Sequence, residues 1–193
     1  MIKAASLKDE LFIVLLPQGE VLQRASEVQQ IIAEQYQVYA TGNYPGIHIT
    51  IDRFKRGDIR PVEEIIKEVL KKSRPIEIVL QQFACYKNTE QNNFLVLKLK
   101  ETASLREFSY TLHQRLASGG FSTISDYAKW EFHITVLSNL FSDNPLPAVD
   151  FENLCLSLAG EKYPCSARAE RLEIWSPDPN PAKRCIKGFK LEQ

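Results

Sequence analysis

A His and a Thr two residues apart, inside an otherwise apolar and β-branched run, occur twice in this chain. The first copy is Gly46-Ile47-His48-Ile49-Thr50-Ile51, and the second is Glu131-Phe132-His133-Ile134-Thr135-Val136-Leu137, 85 residues further on. In an extended strand, side chains at i and i+2 point to the same face. His48 and Thr50 therefore share one face, with Ile49 and Ile51 buried behind, and His133 and Thr135 repeat the arrangement. Only three histidines are present, and two of them sit in this setting. Each copy needs a strand with a covered apolar back and an open polar front, and two copies at a fixed offset imply a duplicated unit.

The rest of the chain follows the same offset. Residues 11–16 form an apolar run stopped by Pro17, which reads as a buried strand. Val21, Leu22, Ala25, Val28, Ile31 and Ile32 then fall at helical spacing over 20–36. A turn signal at 41–46 leads into the first His-x-Thr strand, which ends about Phe54. A helix at 61–72 and a strand at 76–86 follow. The second round has a strand at 94–99, a helix at 103–116 ended by Gly119-Gly120, the second His-x-Thr strand, a short helix at 150–158 and a strand at 166–175. The order predicts an α+β chain of two pseudo-twofold-related repeats, each with an antiparallel sheet and flanking helices, forming two lobes around a central cleft. Repeat 1 spans about 9–88, repeat 2 about 93–178, and a closing strand at about 184–192 crosses back. No Gly-, Ser- or Pro-rich linker divides them, so a single bilobal domain of 1–193 is expected.

Charge narrows the partners. Lys plus Arg equals Asp plus Glu at 24 each, whereas a protein held to duplex nucleic acid by long-range attraction carries a basic excess. A small phosphorylated ligand or an RNA end suits a neutral chain better. The four cysteines show no C-x-x-C spacing, which predicts thiols in a reducing compartment rather than a disulfide framework. Met1 to Glu10 is charged, and the longest early apolar run cannot span a bilayer, so a cytoplasmic monomer without membrane contact is expected.

Two imidazoles facing one cleft suit general acid–base phosphoryl chemistry. Histidine titrates near neutrality, so one ring accepts a proton while the other donates one. The Thr50 and Thr135 hydroxyls are placed to bind non-bridging phosphate oxygens, where negative charge gathers in the transition state. The scheme needs no cofactor and no metal, and the sequence supplies no carboxylate cluster to hold one.

Paired H-x-[T/S]-x-hydrophobic motifs, one per repeat, resemble the two-histidine (2H) phosphoesterase superfamily, in particular its 2'-5' RNA ligase-like, or LigT-like, branch. The resemblance implies hydrolysis of 2',3'-cyclic phosphate on nucleotides or RNA ends. His48 and His133 become the acid–base pair, and Thr50 and Thr135 the phosphate-binding hydroxyls. The working assignment has His133 activating water and His48 protonating the departing ribose oxygen. The first motif continues as Ile51-Asp52-Arg53-Phe54, a departure from the H-x-T-L-x-F of that branch. Alternatives in the same cleft are 2'-5' RNA ligation and non-catalytic binding of phosphorylated nucleotide or RNA ends.

Tyr44, Tyr127 and Trp130 precede the motif strands and are candidates for stacking on a base. Arg53, Lys55, Arg56 and Lys129 are candidate phosphate contacts, against the commoner reading as solvated surface. Strict alternation puts Asp52 on the face of His48 and Thr50 as a surface aspartate, and His113 reads as a surface or boundary residue.

Overall fold

The computed structural model describes residues 5–39, 44–87, 93–178 and 180–191. The turn residues 41–43, the end of the first repeat at 88 and the end of the closing strand at 192 lie outside them. Strand β1 (Glu10–Pro17) is the expected buried run, with Leu11, Ile13, Val14 and Leu15 in the core. Gly19 then takes φ 55°, a left-handed conformation that only glycine adopts cheaply, and turns the chain into helix α1 (Gly19–Tyr36). Strand β2 (Ile49–Lys55), helix α2 (Arg60–Leu70) and strand β3 (Glu77–Lys87) complete the first round. The second runs β4 (Asn93–Lys100), α3 (Ala103–Ser118), β5 (His133–Ser138), α4 (Ala148–Ser157) and β6 (Lys162–Trp175). A short α5 (Pro181–Arg184) and β7 (Cys185–Lys190) follow.

The fold is α+β, with all strand pairs antiparallel. Among the described residues, seven strands form one sheet in the order β1-β2-β5-β4-β3-β6-β7, and a further β1–β6 pairing closes it on itself. Strands β2 and β5 are joined only through Ile49 and Ile134, so the ring opens into two halves there. One half is β2–β1–β6–β7 and the other β5–β4–β3–β6, with the 14-residue β6 serving both. Its first part, up to Arg168, pairs with β3, and Ala169 to Trp175 pairs with β1.

The third strand of each repeat is therefore exchanged: β3 joins the half that holds β5, and the end of β6 joins the half that holds β2. The helices exchange too, since α1 packs on β5 and β6 while α3 packs on β2, β3 and α2. Ile49, Ile51, Ile134 and Val136 form the covered back of the two His-x-Thr strands, all without exposed surface. Their burial, at about 2 kcal/mol for each side chain, pins the strand register, because a one-residue slip would put apolar groups in the cleft.

The thiol expectation fails at one pair. Cys85 in β3 and Cys155 in α4 are joined by a disulfide, while Cys165 and Cys185 are free. Cysteines 70 positions apart in sequence meet only because α4 returns to β3. Closing a loop of that length restricts the unfolded chain and stabilises the fold by up to about 4 kcal/mol. Reduction with dithiothreitol, or the Cys85→Ala/Cys155→Ala double variant, lowers the urea midpoint accordingly, and an unchanged midpoint would count against the cross-link. No helix among the described residues is long and apolar enough to cross a membrane.

Candidate active site

The two His-x-Thr strands meet where the sheet is narrowest. The antiparallel Ile49–Ile134 pair sets His48 against Thr135 and Thr50 against His133. All four line one cleft of about 450 Å³. His48 Nδ1 lies 2.7 Å from the Gly46 carbonyl oxygen, and His133 Nδ1 lies 3.0 Å from that of Glu131. A carbonyl only accepts, so each Nδ1 carries the hydrogen and each Nε2 is left as the nitrogen that exchanges protons. The two carbonyls occupy equivalent places in the repeats.

Each histidine also packs on an aromatic ring from the other repeat. Trp175 of β6 lies 4.8 Å from the His48 ring centre, and Tyr86 of β3 lies 5.7 Å from that of His133. The strand exchange thus gives each imidazole a neighbour that its own repeat cannot provide. Burial depresses both rings, because an imidazolium loses hydration there. His48 is pushed down to about 4 by burial, opposed by its carbonyl bond and reinforced by the charges of His133 and Arg184. His133 is also lowered by burial, but its carbonyl bond and Glu131 resist the shift, with Lys98 acting the other way. Glu131 itself accepts from Tyr86 Oη at 2.5 Å and pairs with Lys98 Nζ at 3.0 Å. The histidines are equivalent in backbone and unlike in charge: a cation stands by His48 and a carboxylate by His133.

A bulge follows each threonine. Ile13 pairs with Asp52 and Val14 with Thr50, so Ile51 has no partner in β1. Leu95 pairs with Leu137 and Val96 with Thr135, so Val136 has none in β4, at the same offset of 85. An extra residue inverts the alternation beyond it. Arg53 and Ser138, rather than Asp52 and Leu137, consequently line the cleft with the His and Thr side chains. Cross-strand rows run from them, Arg53–Phe12–Trp175 on one wall and Ser138–Phe94–Tyr86 on the other.

Asp52 departs from its expected place on the surface. It is 0% exposed, and its carboxylate accepts from Arg53 N at 2.7 Å, Ser122 Oγ at 2.7 Å and His113 Nδ1 at 2.8 Å. His113, a largely buried boundary residue, reaches from α3 to hold β2. Its ring is stacked on Tyr127 at 3.9 Å. Tyr127 Oη donates to the Ile51 carbonyl at 2.9 Å, and Trp130 Nε1 to the Thr50 carbonyl at 3.1 Å. The segment before β5 thereby clamps the bulged part of β2, which pairs with β5 only at Ile49.

Of the aromatic candidates, Trp130 lines the cleft. Tyr127 lies behind it in the clamp, and Tyr44 packs edge-on against Tyr39 at 5.8 Å. Among the basic candidates, Arg53 and Lys129 line the cleft. Arg53 is 3% exposed, pairs with Glu10 at 3.3 Å and lies 5.5 Å over the Trp130 ring. Lys55 is exposed at the end of β2, and Arg56 reaches back to the Lys8 carbonyl and Ser176. Trp175 and Arg184 escaped the sequence reading. They lie 127 and 136 residues beyond His48, with no motif around them.

A family model described as the 2'-5' RNA ligase superfamily matches residues 17–181. No curated protein sequence matches significantly. Among solved structures, TT0787 of Thermus thermophilus is similar with a TM-score of 0.66 at 14% identity, over 94% of this chain and 97% of that one. E. coli LigT complexed with 3'-AMP gives 0.55 at 13%, over 96% and 99%, and Kluyveromyces marxianus Usb1 gives 0.53 at 12%, over 96% and 99%. With both motifs on one cleft and the family model covering most of the sequence, this chain belongs to the 2'-5' RNA ligase superfamily.

Proposed function

We propose that this protein is a cyclic phosphodiesterase that opens 2',3'-cyclic phosphates on nucleotides or RNA ends by two-histidine acid–base catalysis. The observation that carries the reading is the pair of imidazoles on one cleft, each with Nδ1 held by a backbone carbonyl and Nε2 left to exchange protons. Superfamily membership supports phosphoesterase-type activity. The structures of E. coli LigT with 3'-AMP, NADP+ and ATP support a nucleotide-sized substrate. Phe12, Phe94 and Trp130 offer the cleft faces against which a base would pack.

The charges favour the reverse of the working assignment. Arg184 discourages a proton on His48, which suits a base that takes the proton of an attacking water. Glu131 favours a proton on His133, which suits an acid that protonates the departing ribose oxygen. Thr50 and Thr135 contact the non-bridging oxygens between them. Ligation to a 2'-5' linkage uses the same proton transfers in the same direction, with a ribose 5'-hydroxyl in place of water as the attacking group and the 3'-oxygen departing, and the family description keeps it as a second reading.

The test is turnover of a 2',3'-cyclic mononucleotide in EDTA, with kcat/KM followed against pH, which reports the free enzyme. His48 must be neutral, so activity rises with pH through about 4. His133 must be protonated, so activity falls as pH rises through a value below the ordinary histidine pKa. The expected profile is a bell on the acidic side of neutrality. Loss of activity in EDTA, or a flat profile between pH 4 and 7, would overturn the proposal.

A further inference from the structure

Gly46 stands two residues before His48, and the space its side chain would fill is already taken. A Cβ there would lie 1.8 Å from Arg184 Nη1 and 2.8 Å from the Trp175 indole. Arg184 closes α5, and its Nε donates to the Asp178 carbonyl at 3.3 Å. Its guanidinium lies 4.9 Å over the Trp175 ring, and that ring lies 4.8 Å from His48. Arg184 as a whole is 9% exposed, and it lines the cleft that holds both histidines and both threonines. Burial disfavours the charge of the guanidinium, and Asp178 opposes that effect. The charge of Arg184 acts on His48, disfavouring a proton there. The charged residues lining the cleft are Arg53, Asp178 and Arg184 on the His48 side, with Lys129 and Glu131 near His133.

We propose that Arg184 is a third catalytic group, whose guanidinium contacts a non-bridging oxygen of the reacting phosphate beside His48, in space left by the missing side chain of Gly46. The inference rests on the phosphodiesterase reading above. As the water oxygen bonds to phosphorus, its proton passes to His48 Nε2. The P–O bond to one ribose oxygen breaks, and that oxygen takes the proton of His133. Arg184 exchanges no proton. It carries the negative charge that gathers on the phosphate oxygens, and its planar fork matches two oxygens of one phosphate. Without substrate, the same charge keeps His48 neutral and ready to act as base.

Arg184→Gln lowers kcat/KM on a 2',3'-cyclic mononucleotide by about 10²- to 10³-fold, mostly in kcat, as removal of one transition-state hydrogen-bond donor does. Arg184→Lys recovers part of the loss. Gly46→Ala pushes the guanidinium aside without changing any charge and lowers kcat/KM at least about tenfold. The Gly46→Ala/Arg184→Gln double variant is no worse than Arg184→Gln, because both remove one contact. NMR titration of His48 in the free protein shows its pKa raised in Arg184→Gln, and inorganic phosphate binds the parent more tightly than this variant. Parent turnover that survives Arg184→Gln within threefold, or losses that multiply in the double variant, would overturn the proposal. A parent that opens no cyclic phosphate, yet loses phosphate binding and shifts His48 on Arg184→Gln, would overturn the phosphodiesterase reading and leave Arg184 as the cleft's anion contact.

Discussion

His48→Ala and His133→Ala each reduce turnover of a 2',3'-cyclic mononucleotide by at least about 10³-fold, and the double variant is scarcely worse than either. Base and acid act in one concerted displacement, so removing one leaves the other little to do. In each variant the remaining limb of the pH profile should survive alone. His48→Ala loses the rise near pH 4, and His133→Ala loses the fall at higher pH. The folds should persist, since both rings line the cleft and neither belongs to the buried core. Single-turnover kinetics with thermal melts would separate chemistry from folding. Residual activity within tenfold of the parent in either variant would remove that histidine from the mechanism.

Asp52→Ala should cost about 3 kcal/mol of stability, with the melting temperature falling by about 6–12 °C. The carboxylate is fully buried and accepts from Arg53 N, Ser122 and His113, so its loss leaves three donors in the interior without their acceptor. Urea unfolding with an unchanged m-value is the cleanest measure, and a loss below about 1 kcal/mol would show that the clamp contributes little. Activity should fall as well. The clamp holds the bulge that directs Arg53 into the cleft, and Trp130 is bonded to the same strand. His113→Ala, which removes one donor and keeps the carboxylate, should be milder in both respects.

These two experiments fall on either side of what could be read from residue order. The His-x-Thr pairs were legible because alternation along a strand is local: two positions apart means one face, whatever surrounds it. Strand β1 was legible as a continuous apolar run, and α1 and α3 as helical spacing, for the same reason. Asp52 was misplaced by that same rule. One unpaired residue, Ile51, reverses the alternation, and whether it stays unpaired depends on β1, far from it in sequence. His113 is the boundary residue that its place beside the apolar stripe of α3 suggests, but nothing near it in the chain reveals that β2 passes beneath α3.

Sequence by itself determined the duplicated α+β unit and the two His-x-Thr strands, from which the proposed class of chemistry follows, since these depend on periodicity within short segments and its recurrence at one offset. Tertiary structure alone decided the exchange of β3 and β6 between the halves, the bulges that select Arg53 and Ser138, the Cys85–Cys155 bond and the approach of Arg184 to Gly46. Each of these depends on which distant backbone lies alongside. The same pairing energy that closes the sheet makes two similar histidines unequal, one beside a guanidinium and the other beside a carboxylate.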